Sequence, residues 1–145
     1  MLGLKTPEQV RYAPCDFETM SIADALAAQN FAADEPCFIT WLGVTQYLTL
    51  DAIRETLRWA GTRPAGSELV LTIVEPEGRP APDSGPRGII DYTSYISMED
   101  TTRMLHEAGF SRVEPLTREA ADEFFKDRTD GLATPKFNRA LAAIV

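Results

Sequence analysis

Phe38-Ile39-Thr40-Trp41-Leu42-Gly43-Val44-Thr45-Gln46-Tyr47-Leu48-Thr49 passes from a continuous apolar run, through a glycine, to the start of a helix. A run of this kind predicts a short strand over residues 37–42, apolar on both sides as in a buried parallel sheet. Thr49 is a helix N-cap. Behind it Leu50, Ile53, Leu57 and Ala60 recur at three- and four-residue steps, and Gly61 and Pro64 stop the pattern. In an open α/β sheet a ligand sits where such a strand ends and its helix begins.

Working outward, residues 10–14 predict another short strand, ending at Cys15-Asp16-Phe17-Glu18. Ser21, with Asp24 three residues on, opens a helix that Asn30 closes. Residues 68–74 form the next apolar strand. Residues 75–89 hold four of the ten prolines and three glycines, so they predict a loop. Ser97 caps a helix stopped by Gly109, residues 110–116 predict a strand, and Thr117 caps a helix ending near Lys126. Residues 137–145 predict the last strand. Strands alternate with helices long enough for parallel crossovers, so the fold class is α/β.

Composition narrows the function. The chain has 145 residues, 44% apolar and 25% charged, which suits one soluble domain. A net charge of −8 argues against a nucleic-acid partner, which leaves a basic footprint. No apolar run approaches a membrane span and no signal peptide is visible, so a cytoplasmic location is expected. Cys15 and Cys37 read as free thiols. With one histidine, His106, far along the chain, neither a metal site nor an oriented Cys–His pair is indicated.

The order of strand, Asp16-Phe17, helix, strand, Trp41-Leu42-Gly43-Val44 and Tyr47-Leu48-Thr49 resembles the S-adenosylmethionine-dependent methyltransferases of the leucine carboxyl methyltransferase-like family. Two later segments resemble it as well, Leu105-His106-Glu107-Ala108-Gly109-Phe110 and residues 124–132. The resemblance implies a partial Rossmann-like class I methyltransferase sheet, mostly parallel with an antiparallel last strand and helices on both faces. It implies S-adenosyl-L-methionine as cofactor. Asp16 would hold the adenine amino group, Phe17 would pack on the ring, and Trp41, Leu42 and Gly43 would line the cofactor. Gln46, Tyr47 and Arg128 would face a small-molecule or carboxylate acceptor. Each has a plainer reading too: Asp16 as a turn former, Trp41, Leu42 and Tyr47 as core, and Arg128 as half of a surface ion pair. Many relatives carry a glutamate where Trp41-Leu42 stands here, and no catalytic residue is identified.

Members of this fold grip the methionine end of the cofactor on a glycine-rich turn after a first strand. Gly3 is the only glycine before Gly43. The expectation is therefore a single incomplete domain over residues 1–145, lacking the glycine-rich N-terminal half. Such a chain would bind the cofactor weakly or not at all alone. The strand at 37–42 would become a sheet edge, covered by a second copy in a homodimer or by a complementing N-terminal chain. A non-catalytic homodimeric binding module and a truncated gene product are the alternatives.

Overall fold

The structure is a computed structural model and describes residues 7–79 and 92–145. Its elements are α1 (Ile22–Ala27), β1 (Phe38–Trp41), α2 (Leu50–Gly61), β2 (Glu68–Val74), α3 (Met98–Ala108), β3 (Arg112–Pro115), α4 (Arg118–Phe125) and β4 (Asn138–Ile144). The strands form one sheet in the order β1-β2-β4-β3. β1 and β2 are parallel, and β4 runs antiparallel to both β2 and β3. The antiparallel last strand is as expected. The mostly parallel sheet needs correction: β4 enters between β2 and β3, so only one of the three pairings is parallel and the sheet is mixed.

The helices form because the sequence caps them. Thr49, Ser97 and Thr117 each accept a backbone N–H three residues on, from Ala52, Asp100 and Ala120. Gly109 ends α3 at φ 110, where a residue with a side chain is strained. α2 and α3 meet at Gly61, where an added Cβ would lie 2.0 Å from the Ala108 carbonyl oxygen.

Both helices cover one face of the sheet. Leu69, Leu71, Ile73, Leu141 and Ala143 are at most 1% exposed and join Ile53, Leu57 and Leu105 in the core. Each such large side chain contributes about 1.5–3 kcal/mol of burial. The opposite face takes the alternate residues in rows set by the register, among them Thr40, Val70 and Ala142. It is only partly covered: Phe38 is 63% exposed and Leu42 54%. α4 has no buried residue and covers one end of that face through Ala121 and Phe125, which lie near Thr72 and Ala140. The 37–42 run is therefore buried on one face, not both; Trp41 is core while Phe38 and Leu42 project outward. Leu50, placed by periodicity on the apolar face of α2, is also exposed.

Residues 10–14 are not a strand. Val10 and Tyr12 are exposed, and Pro14 supplies no N–H; among the described residues no strand pairs with this segment, which is tied down by Arg11 Nη1 donating to the Gln29 carbonyl at 2.7 Å. Asn30, at φ 57, ends the α1 region in the left-handed conformation expected of it, although Ser21 makes no side-chain cap bond. The predicted loop at 75–89 begins as a short 3₁₀ turn, Pro76–Gly78, and from residue 80 lies outside the described residues.

Candidate functional site

The carboxyl end of β1 carries the candidate site. Asp16 opens a turn: its carbonyl accepts from Thr19 and Met20, and its Oδ1 accepts from the Glu18 amide at 3.0 Å. The turn is held against the strand end at two points. Phe17 stacks on Trp41 with ring centroids 6.0 Å apart and planes at 30°. The Glu18 carboxylate takes the Thr49 N–H at 2.8 Å and the Thr49 hydroxyl at 2.7 Å. Glu18 thus sits at the amino end of α2, where the helix dipole favours an anion.

Gly43 makes the bend out of β1 at φ 70, with open space above its Cα. That space lets a ligand approach the backbone, as a side chain there would not. Its polar groups are already engaged. The N–H donates to Thr72 Oγ1 at 2.7 Å, and the carbonyl accepts from Gln46 Nε2 at 3.2 Å. Thr45 returns a hydroxyl to the Thr72 carbonyl at 2.7 Å, so β2 braces the whole bend.

The structure gathers Asp16, Phe17, Trp41, Leu42, Gly43, Gln46 and Tyr47 around this one strand end. Asp16 is exposed and Trp41 is 6% exposed. Among the described residues the Trp41 Nε1–H is buried with no acceptor, an omission that costs about 1–3 kcal/mol. Gln46 is buried, and its carbonyl accepts from Thr93 at 2.7 Å and Ser94 at 3.1 Å. Tyr47 is exposed, edge-on to Tyr92 at 5.4 Å, and Tyr92 leads to Tyr95 at 5.9 Å. Burial, then the neighbouring Tyr47, push the Tyr92 phenol above its ordinary pKa.

Arg128 is not in this group. It lies past α4, its Nε donating to Asp130 Oδ1 at 3.0 Å, in an exposed ion pair that holds the Asp130 carboxyl below the usual range. Sequence reasoning missed two residues, Glu18 and Thr72. Thr72 carries a faint signal, the one polar residue in the run Leu69 to Val74.

The chemistry of the donor set suits the adenosine end of S-adenosylmethionine. An exocyclic amine needs an acceptor, which Asp16 offers, and a purine face needs an apolar wall, which the half-buried Phe17 offers with Trp41 behind it. The methionine end finds no glycine-rich turn among the described residues. Thiol catalysis is not indicated: burial, then Asp16, push the Cys15 thiol up, away from the thiolate. Both cysteines are free and half-buried, and His106 Nδ1 donates to the Phe110 carbonyl at 3.0 Å. Among the described residues no cluster of three metal-ligating side chains occurs, and no helix is long and apolar enough to cross a membrane.

One comparison, with family models, agrees with the resemblance read from the sequence. The family model described as leucine carboxyl methyltransferase matches residues 1–61. No curated protein matches. Among solved structures, a "possible exported protein" from Bordetella parapertussis aligns at TM-score 0.47 and 15% identity, over 78% of this chain and 41% of its own. A "putative O-methyltransferase" from Nostoc punctiforme aligns at TM-score 0.46 and 12% identity, over 85% of this chain and 40% of its own. The chain spans about two fifths of the length of those structures.

Proposed function

We propose that this chain is part of an S-adenosylmethionine-dependent methyltransferase and holds the adenine end of the cofactor at the carboxyl end of β1. One observation carries the reading: the Asp16-Phe17 turn is pinned onto that strand end by the Trp41 stack and by Glu18. Asp16 accepts from the adenine amine, Phe17, backed by the buried Trp41, faces the base, and Leu42 and Gly43 leave its approach open. When bound, the cofactor supplies a methyl group on a sulfonium, an electrophile that needs an aligned nucleophile. Gln46 and Tyr47 lie on the acceptor side, and the acceptor is a small molecule or carboxylate. Arg128 would join only by exchanging Asp130 for the acceptor. No residue is assigned as base.

The methionine end would rest on a glycine-rich half that adds its strands beside β1, supplied by a complementing N-terminal segment or chain. The expected setting is cytoplasmic, consistent with two unpaired cysteines. The test is calorimetric titration of the complemented protein with S-adenosylmethionine. Asp16→Ala should weaken binding by about 1–3 kcal/mol through loss of a charge-assisted hydrogen bond. Unchanged affinity removes Asp16 from the site.

A second reading, a non-catalytic homodimeric module, is favoured by the outer side of β1, which no strand pairs with among the described residues and where a second copy would pair. Its interface should exceed about 1,000 Å². A monomer in sedimentation at low micromolar concentration excludes it.

A further inference from the structure

Beyond the β1 bend, at the same end of the sheet, Thr72 and Ala140 border a second site of distinct chemistry. Leu116, Ala121, Phe125 and Ala140 line an apolar slot of about 140 Å³ between α4 and the open sheet face, with Arg118 and Arg139 at its mouth. A neighbouring hollow of about 460 Å³ shares Arg118 and Arg139 with the slot and is lined further by Phe137, Lys136, Glu75 and Glu77.

The charges are not equivalent. Arg139 is neutralised by Glu75 at 2.7 Å, and both side chains are largely covered. Arg118 and Lys136 have no acidic partner among the described residues. Arg118 makes only long contacts, 3.4 Å each, to the Pro135 and Lys136 carbonyls, and the Lys136 ammonium stands 4.9 Å from the Phe137 ring centre. Arg118 also occupies the first position of α4, the end where the helix dipole disfavours a cation. A cation held there without a partner is poorly placed for stability and well placed for an anion, which would meet both the guanidinium and the helix end. Thr134, on the slot wall, has a hydroxyl that is buried and unpartnered among the described residues. The covering loop therefore closes at the cost of a polar contact.

We propose that this slot binds a small amphipathic anion, its apolar tail between α4 and β4 and its single anionic head, carboxylate or phosphate, between Arg118 and Lys136. The slot and the β1 bend share one wall residue, Thr72, whose hydroxyl accepts the Gly43 N–H, but the groups that would hold the tail and the head come from α4, β4 and the segment between them.

The experiment is amide-resolved NMR titration of the full chain with hexanoate, hexyl phosphate and hexan-1-ol. Saturable shifts at Ala121, Phe125 and Ala140 are expected with one or both anions, and the tighter one identifies the head group. Hexan-1-ol should bind about tenfold more weakly, the difference expected of hydrogen bonds to charged groups. Arg118→Gln and Lys136→Gln, both exposed changes that leave the core alone, should each reduce the preference for the anion. Ala121→Phe should fill the slot and abolish binding of all three. Equal binding of hexan-1-ol, an undiminished anion preference in both glutamine variants, or shifts centred on Phe38 and Leu42 would overturn the proposal. So would the absence of any saturable shift up to about 50 mM, well above the millimolar range where such ligands bind.

Discussion

β1 and β3 are both four-residue edge strands of one sheet, yet one reads Phe-Ile-Thr-Trp and the other Arg-Val-Glu-Pro. β3 carries the devices that blunt an edge: an arginine and a glutamate paired with each other, and Pro115, which offers no N–H to a further strand. β1 carries no charge and no proline, and among the described residues nothing pairs with its free side. β3 is built as an end of the sheet. β1 is built as an interior strand, and the candidate cofactor site stands at its tip. The contrast favours a partner strand beside β1, from a glycine-rich half or from a second copy.

The contrast breaks most visibly if the two edges respond alike to truncation. Trp41→Ala removes a buried ring that packs on Phe17 and the core, so it should destabilise the chain by about 3–5 kcal/mol in urea unfolding. Pro115→Ala should change stability by less than about 0.5 kcal/mol, the range of surface substitutions. Comparable losses at the two positions would mean that β1 is no more integral to the core than β3.

A smaller effect sharpens how the site is attached. Glu18→Ala leaves the Thr49 N–H and hydroxyl without their acceptor, and Thr72→Val leaves the Gly43 N–H without one. Each should cost about 1–2 kcal/mol of thermal stability. The first should also free the Asp16 turn from β1, read as loss of the close contact between the Phe17 and Trp41 rings in NMR. An intact contact in Glu18→Ala would show that the stack alone holds the turn.

The smallest effect on stability addresses self-association. Thr40 is exposed on β1, and Thr40→Lys introduces the kind of charge that β3 already has. Stability should move by less than about 0.5 kcal/mol, while any dimer seen by sedimentation should dissociate. A dimer that survives would place its interface elsewhere.

Much of this fold was legible in sequence, because caps and turns are local. Thr49, Ser97, Thr117 and Gly109 mark their helices through bonds within four residues, and the whole span of β2 follows from its apolar run. What stayed hidden depends on distance. A continuous apolar run says that both sides of a strand avoid water, but not whether a second layer is present, so Phe38 and Leu42 read as buried. Residues 10–14 have a strand's composition and, among the described residues, no neighbour to pair with. In the site, Asp16, Phe17 and Gly43 could be found from their order, whereas Glu18 and Thr72 act across 31 and 29 residues of chain. No local pattern announces such bonds.

The central claim is that the tip of β1 holds one end of the cofactor and leaves the other end to a partner. It is tested most directly by titrating the purified 145-residue chain with S-adenosylmethionine while following the Trp41 indole and Gly43 amide by NMR. The account predicts saturable shifts at both, at an affinity weaker than about 10 μM, roughly −7 kcal/mol. Tighter binding would show that the chain grips the whole cofactor by itself, and saturable shifts centred elsewhere with none at either group would take the cofactor away from β1; either result would contradict the account.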